Sequence, residues 1–219
     1  TQEWGAGAFV TAAPHTDDPL QLLAGPTFRE VHYFDHAATL PDLSLAGPAA
    51  GAKFELPKRL RIDALGGLGL PWIKKHNARS EERRVGKEHN AASRDDDPPI
   101  TPAVNASVWV SPRDGTAFLV VARYRLDASA SAPWQRSTTI SGELTQDLPA
   151  DLQARLIATW TLRQPHRDPD LRQQSYQAQL VWSPWEHLEL GGQVGYTRLS
   201  VKGGGYEAFT IGAAITLKL

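Results

Sequence analysis

Residues 209–219 read FTIGAAITLKL. Phe209, Ile211, Ala213, Ile215, Leu217 and Leu219 take alternate positions, with Thr210, Gly212, Ala214, Thr216 and Lys218 between them. Successive side chains of an extended strand point to opposite faces. The stretch therefore predicts a two-faced strand, apolar on one side up to its last residue.

The same period runs backwards along the chain. The apolar sets are Leu188, Leu190, Gly192, Val194, Tyr196; Tyr176, Ala178, Leu180, Trp182; and Leu152, Ala154, Leu156, Ala158, Trp160, Leu162. Upstream of these lie Ile140, Gly142, Leu144; Phe118, Val120, Ala122, Tyr124, Leu126; and Val104, Ala106, Val108, Val110. Before them come Leu60 to Trp72 and Ala50 to Leu56, both alternating, and two less regular segments, 3–13 and 20–33. No segment keeps a helical period over three turns.

The alternate faces carry charge in mid-strand, where a sandwich core would reject it. The charged residues expected to share one interior are Lys53, Glu55, Arg61, Asp63, Arg123, Arg125, Glu143, Arg155, Arg163 and Glu189. Short connections rich in Pro, Asp and Gly (56–59, 111–115, 148–151, 183–187) alternate with longer polar links (34–42, 74–100, 128–136, 164–174, 200–206). Short links of this kind make hairpin turns. The prediction is a single all-β domain over 1–219, antiparallel and up-and-down, with a long polar loop at 74–100.

Composition narrows the class. The chain has 219 residues, 23 basic and 24 acidic, and a formal net charge of −1, so nothing draws it globally to nucleic acid. Cysteine is absent, which excludes disulfides and thiolate metal sites. Methionine is also absent, position 1 included, as expected of a chain from which a leader has been removed. No run of about 18 apolar residues is present, so no membrane-spanning helix is expected.

A closed barrel has two possible orientations. With the apolar face inward it is a soluble, lipocalin-like barrel binding an apolar ligand. With the apolar face outward, lipid covers it and the charges line a lumen. The outward form is favoured, because lipocalin-like barrels use about eight strands and roughly ten to twelve are expected here. Aromatic residues also gather near strand ends, as in interfacial girdles: Trp4, Tyr33, Phe34, Trp72, Trp109, Trp134, Trp160, Trp182, Trp185, Tyr196 and Tyr206. The expected lipid-facing set is Leu188, Leu190, Val194, Tyr196, Phe209, Ile211, Ile215 and Leu217. Eleven segments alternate, whereas bacterial single-chain barrels have even numbers; either 3–13 is not a barrel strand, giving ten, or a twelfth strand is hidden, and twelve is preferred. A hidden strand is sought in 74–99 or in a split of 20–38.

LELGGQVGYTRLS (188–200) followed by FTIGAAITLKL resembles the last hairpin of bacterial outer-membrane β-barrels. The resemblance implies a Gram-negative outer-membrane location, periplasmic short turns and extracellular long loops. Its implied partners are the bilayer, lipopolysaccharide, the barrel assembly machinery acting through the terminal strand, and a protein complex if the barrel is an anchor. That family usually ends in Phe or Trp, whereas this chain ends in Leu219. Residues 79–88, RSEERRVGKE, closely resemble the conceptual translation of a sequencing adapter, so no site is assigned to them.

No cofactor, metal or catalytic residue is expected. His32 and His36 fall at a strand end, too extended for easy chelation, and His15 with Asp17 and Asp18, or Asp95–Asp97, read as solvated turns. Ser137, Ser141 and Ser175 lack a base and an orienter in any recognisable pattern. GGG at 203–205 reads as a flexible loop. The functional expectation is a narrow polar channel or a membrane anchor. A lipid-modifying outer-membrane enzyme and the soluble ligand-binding barrel are the alternatives.

Overall fold

The computed structural model describes residues 2–13, 19–32, 42–74, 99–127, 134–166 and 168–217. The fold is all-β. The strands are β1 (Gln2–Gly7), β2 (Val10–Ala12), β3 (Leu20–His32), β4 (Asp42–Leu56), β5 (Leu60–Lys74) and β6 (Thr101–Arg113). They continue as β7 (Thr116–Asp127), β8 (Gln135–Leu148), β9 (Leu152–Pro165), β10 (Leu171–Trp185), β11 (Leu188–Val201) and β12 (Gly204–Leu217). All belong to one 12-stranded antiparallel sheet ordered β1-β3-β4-β5-β6-β7-β8-β9-β10-β11-β12, with β2 also on β3.

Twelve strands form, but the twelfth arises where the sequence reading did not seek it. The first segment divides into β1, paired with residues 27–32 of β3, and β2, paired with residues 22–24 of the same strand. Both lie along one edge of β3. Since β3 to β12 alternate in direction, β1, β2 and β12 all run the same way.

Local chemistry fixes the hairpins. Lys58, Ala150 and Asp151 take positive φ in their turns, and Gly115 and Gly203 supply it at 76° and 97°. Gly203 corrects one expectation. The link 200–206 is not a long loop: β11 runs to Val201, β12 starts at Gly204, and Lys202–Gly203 make the turn. Glycine tolerates φ > 0 without steric cost, so the chain reverses there in two residues. Gly204 and Gly205 are strand residues, and a Cβ on Gly205 would strike the Leu199 carbonyl.

The sheet bends sharply across β3, β4 and β5. Pairing of β4 with β5 lapses between Ala46↔Leu70 and Ala49↔Gly67. A Cβ on Gly47 would collide with the Leu68 carbonyl oxygen, and one on Gly51 with that of Ala64. Both positions lie on the polar face, so the neighbouring backbone has folded over that face. Glycine is the residue that permits such an approach.

Side-chain exposure is inverted relative to a soluble domain. Among the described residues the buried apolar side chains are Leu45, Ala49 and Leu126. Exposed large apolar residues run from β3 to β12, including Leu22, Ile62, Val104, Val120, Ile140, Leu156, Leu180, Val194 and Ile211. All nine occupy the apolar face of the alternation.

Candidate functional site

The polar face is where chemistry concentrates, and its strongest contact crosses the sheet. Arg29 on β3 places Nη2 2.6 Å from Asp127 Oδ1 on β7 and donates through Nη1 to the Leu126 carbonyl at 2.8 Å. β4, β5 and β6 separate these strands in the sheet order. For their side chains to meet, the sheet must curl with its polar face inward. Asp127 also takes Arg125 Nε at 3.0 Å.

A cavity of about 330 Å³ lies beneath this bridge. Its wall is small and apolar on β4, β5 and β6, where Leu45, Ala49, Leu65, Gly67 and Ala103 line it. Ala49, Gly67 and Ala103 leave room there because they carry little or no side chain. On β7 the wall is cationic, formed by Arg123 and Arg125. Arg123 donates Nε to Asn105 Oδ1 at 3.3 Å and has no carboxylate partner among the described residues.

A second charged group lies beside the short turn at residues 57–59. Lys53 pairs with Glu55 at 2.7 Å and Arg61 with Asp63 at 2.7 Å, each two residues along one strand. In the β4–β5 register Lys53 sits opposite Asp63 and Glu55 opposite Arg61, so the four charges form an alternating square. Ser107 donates to Asp63 at 3.4 Å.

Farther round, Arg155 Nε lies 3.1 Å from Glu143 on the neighbouring strand. Neutral groups connect the remaining strands. Thr139 and Thr161 are 3.4 Å apart, Thr197 donates to Ser175 at 3.3 Å, and Gln177 donates to Gln193 at 2.7 Å.

Most of the expected interior charges pair locally: Arg61–Asp63 and Lys53–Glu55 along a strand, and Arg155–Glu143 between neighbours, because two residues or one strand spacing already bring opposite charges within reach. The pair that does cross, Arg29–Asp127, was missed. Asp127 closes the alternation Arg123, Arg125, Asp127, a signal visible in the sequence; Arg29 sits in the irregular β3 segment. Arg163 is exposed on β9 and, like Arg123, has no carboxylate partner among the described residues.

The apolar face holds Leu188, Leu190, Val194 and Tyr196 on β11, opposite Leu217, Ile215, Ile211 and Phe209 on β12. Phe209, Ile211, Ile215 and Leu217 are 79%, 88%, 74% and 71% exposed, against 54% for Val194. β12 is flanked by β11 alone among the described pairings, which explains the difference. Tyr176, Tyr196 and Phe209 form a row with centroid distances of 6.5 Å and 4.9 Å. The pair Arg198–Glu207, at 3.6 Å, lies just beyond that row on the same face.

Trp109 corrects the aromatic girdle. It is on the polar face, beside Arg61 and Asp63, because its odd register on β6 matches theirs. Trp134, just before β8, stacks on His166 at 4.6 Å. The His15, His36, Asp17, Asp18 and Asp95–Asp97 positions and the 79–88 stretch lie outside the described residues, as does the side chain of His32. Among the described residues no cluster of three or more His, Asp or Glu side chains could hold a metal ion.

No protein-family model matches the chain, and no curated protein matches it in sequence.

Proposed function

We propose that the protein is a bacterial outer-membrane β-barrel whose polar face lines a narrow lumen and whose apolar face contacts lipid. One observation carries this reading: a continuous belt of exposed Leu, Ile, Val and aromatic side chains extends from β3 to β12. Soluble monomers rarely expose apolar patches beyond a few hundred Å². A bilayer removes that cost but requires internal pairing of every backbone group; the antiparallel ladders supply it from β3 to β11, and closure of the barrel would have to supply it at the free edge of β12. Leu188 to Tyr196 span nine residues, matching the roughly 9–11 needed by a tilted transmembrane strand. The aromatic row capped by Arg198–Glu207 suits the boundary between hydrocarbon and water.

The lumen is polar and largely ion-paired, with Arg123 and Arg163 left over. Two uncompensated arginines on a lumen wall favour anions. The function is therefore a narrow, anion-preferring channel. The bilayer and lipopolysaccharide surround it, and the terminal strand is the part offered to the barrel assembly machinery. A second reading, a closed barrel anchoring a protein complex, draws on the Thr139–Thr161, Ser175–Thr197 and Gln177–Gln193 contacts that knit the inner face together.

Reconstitution into planar bilayers separates the two. A channel gives discrete conductance steps with an anion-biased reversal potential. An anchor gives none and copurifies with a partner after mild detergent extraction. A chain that stays monodisperse without detergent and fails to enter liposomes would refute both.

A further inference from the structure

The cavity beneath Arg29–Asp127 has a chemistry of its own. One wall is built from Leu45, Ala49, Leu65 and Ala103, and the facing wall presents Arg123 and Arg125. Arg125 is engaged with Asp127 at 3.0 Å. Arg123, an exposed side chain, donates its Nε to Asn105; its delocalised charge meets no described carboxylate, and the edge formed by Nη1 and Nη2 is open. A planar guanidinium with a free edge suits bidentate contact with a carboxylate.

Apolar walls with a few convergent polar groups are the usual make-up of a small-molecule site, and about 330 Å³ falls at the lower end of the usual size range. A bare inorganic anion would satisfy Arg123 but leave the wall of Leu45, Ala49 and Leu65 facing water. A neutral apolar molecule would fill that wall but leave the guanidinium uncompensated.

We propose that this cavity binds a small apolar carboxylate, with its headgroup on Arg123 and its hydrocarbon body against Leu45, Ala49, Leu65 and Ala103. The inference rests on the reading of the polar face as the lumen and deepens it, since the bound species is then what the lumen admits. Asn105 orients the Arg123 fork.

The test is calorimetric titration of hexanoate into the full chain in lipid nanodiscs, with empty nanodiscs subtracted. Hexanoate is expected to bind saturably, and sulfate at the same concentration is not expected to displace it. Arg123→Gln should weaken binding by about tenfold or more, and Arg123→Lys, which keeps charge but loses the fork, by less. Ala103→Leu fills the apolar end and should weaken hexanoate as well, while each variant keeps the far-ultraviolet dichroism of the parent. Equal competition by sulfate, or unchanged affinity in a folded Arg123→Gln variant, overturns the proposal. Conductance without hexanoate binding sinks this inference and leaves the channel standing. Binding without conductance does the reverse.

Discussion

Arg29 and Asp127 lie 98 residues apart in sequence, yet their side chains meet at 2.6 Å across three intervening strands. Both are largely shielded, with side chains 19% and 14% exposed. A charge-assisted hydrogen bond in such a place resists loss, because removing one partner leaves the other desolvated and unpaired. This bridge holds the curl of the sheet on the side where glycines let it bend.

Asp127→Asn should therefore destabilise the protein by about 2 kcal/mol, with Arg29 and Arg125 both losing their acceptor charge. The double variant Arg29→Gln/Asp127→Asn should cost less than the sum of the single changes. Urea unfolding of the lipid-reconstituted protein measures both. Strict additivity would mean that the contact contributes nothing.

The glycine bend gives a second expectation. Gly47→Ala and Gly51→Ala place a Cβ into the Leu68 and Ala64 carbonyl oxygens, whereas a Cβ on Gly142 meets nothing within 4 Å. The first two should cost at least about 2 kcal/mol and Gly142→Ala within about 0.5 kcal/mol, read from denaturation midpoints. Equal effects at all three sites would count against the close approach.

The proposal that the apolar face meets lipid can be tested by placing a charge on either face. Leu156 is 53% exposed on the apolar face of β9. Leu156→Arg should cost about 2–4 kcal/mol in lipid, the range for arginine at the midplane of a barrel's outer wall. Gln177→Arg on the polar face of β10 should cost much less. Folding titrations in bilayers compare them, and a reversed order would turn the barrel inside out.

The proposed anion preference rests on the unbalanced arginines. In a conducting channel, Arg123→Glu/Arg163→Glu should shift the reversal potential in a salt gradient toward cation preference. Glu55→Gln, within the charge square by the short turn, should move it the other way by less, because Lys53 and Arg61 are already matched there. Identical reversal potentials in all variants would show that these side chains do not face the permeation path.

Much of the architecture was legible because a strand's side-chain period is two. FTIGAAITLKL and its upstream counterparts specify which residues share a face, and Lys58, Gly115 and Asp151 mark hairpin turns, before any coordinates are known. Face and turn are local properties, set by neighbours one or two residues away. The same locality explains the error at 200–206. Polarity and three glycines read as a loop, although only Lys202 and Gly203 turn and Gly205 is needed in a strand for close approach to Leu199.

The sequence by itself determined the alternation, the direction of the chain through β3 to β12 and the chemistry of each face. Only the tertiary structure decided that Arg29 meets Asp127, that Trp109 sits among charges and that Arg123 is left with an amide as its partner. The reason is curvature. Which side chains face one another across a curled sheet depends on how sharply β4 and β5 bend at Gly47 and Gly51, and a backbone collision avoided between residues 47 and 68 leaves no periodic trace along the chain.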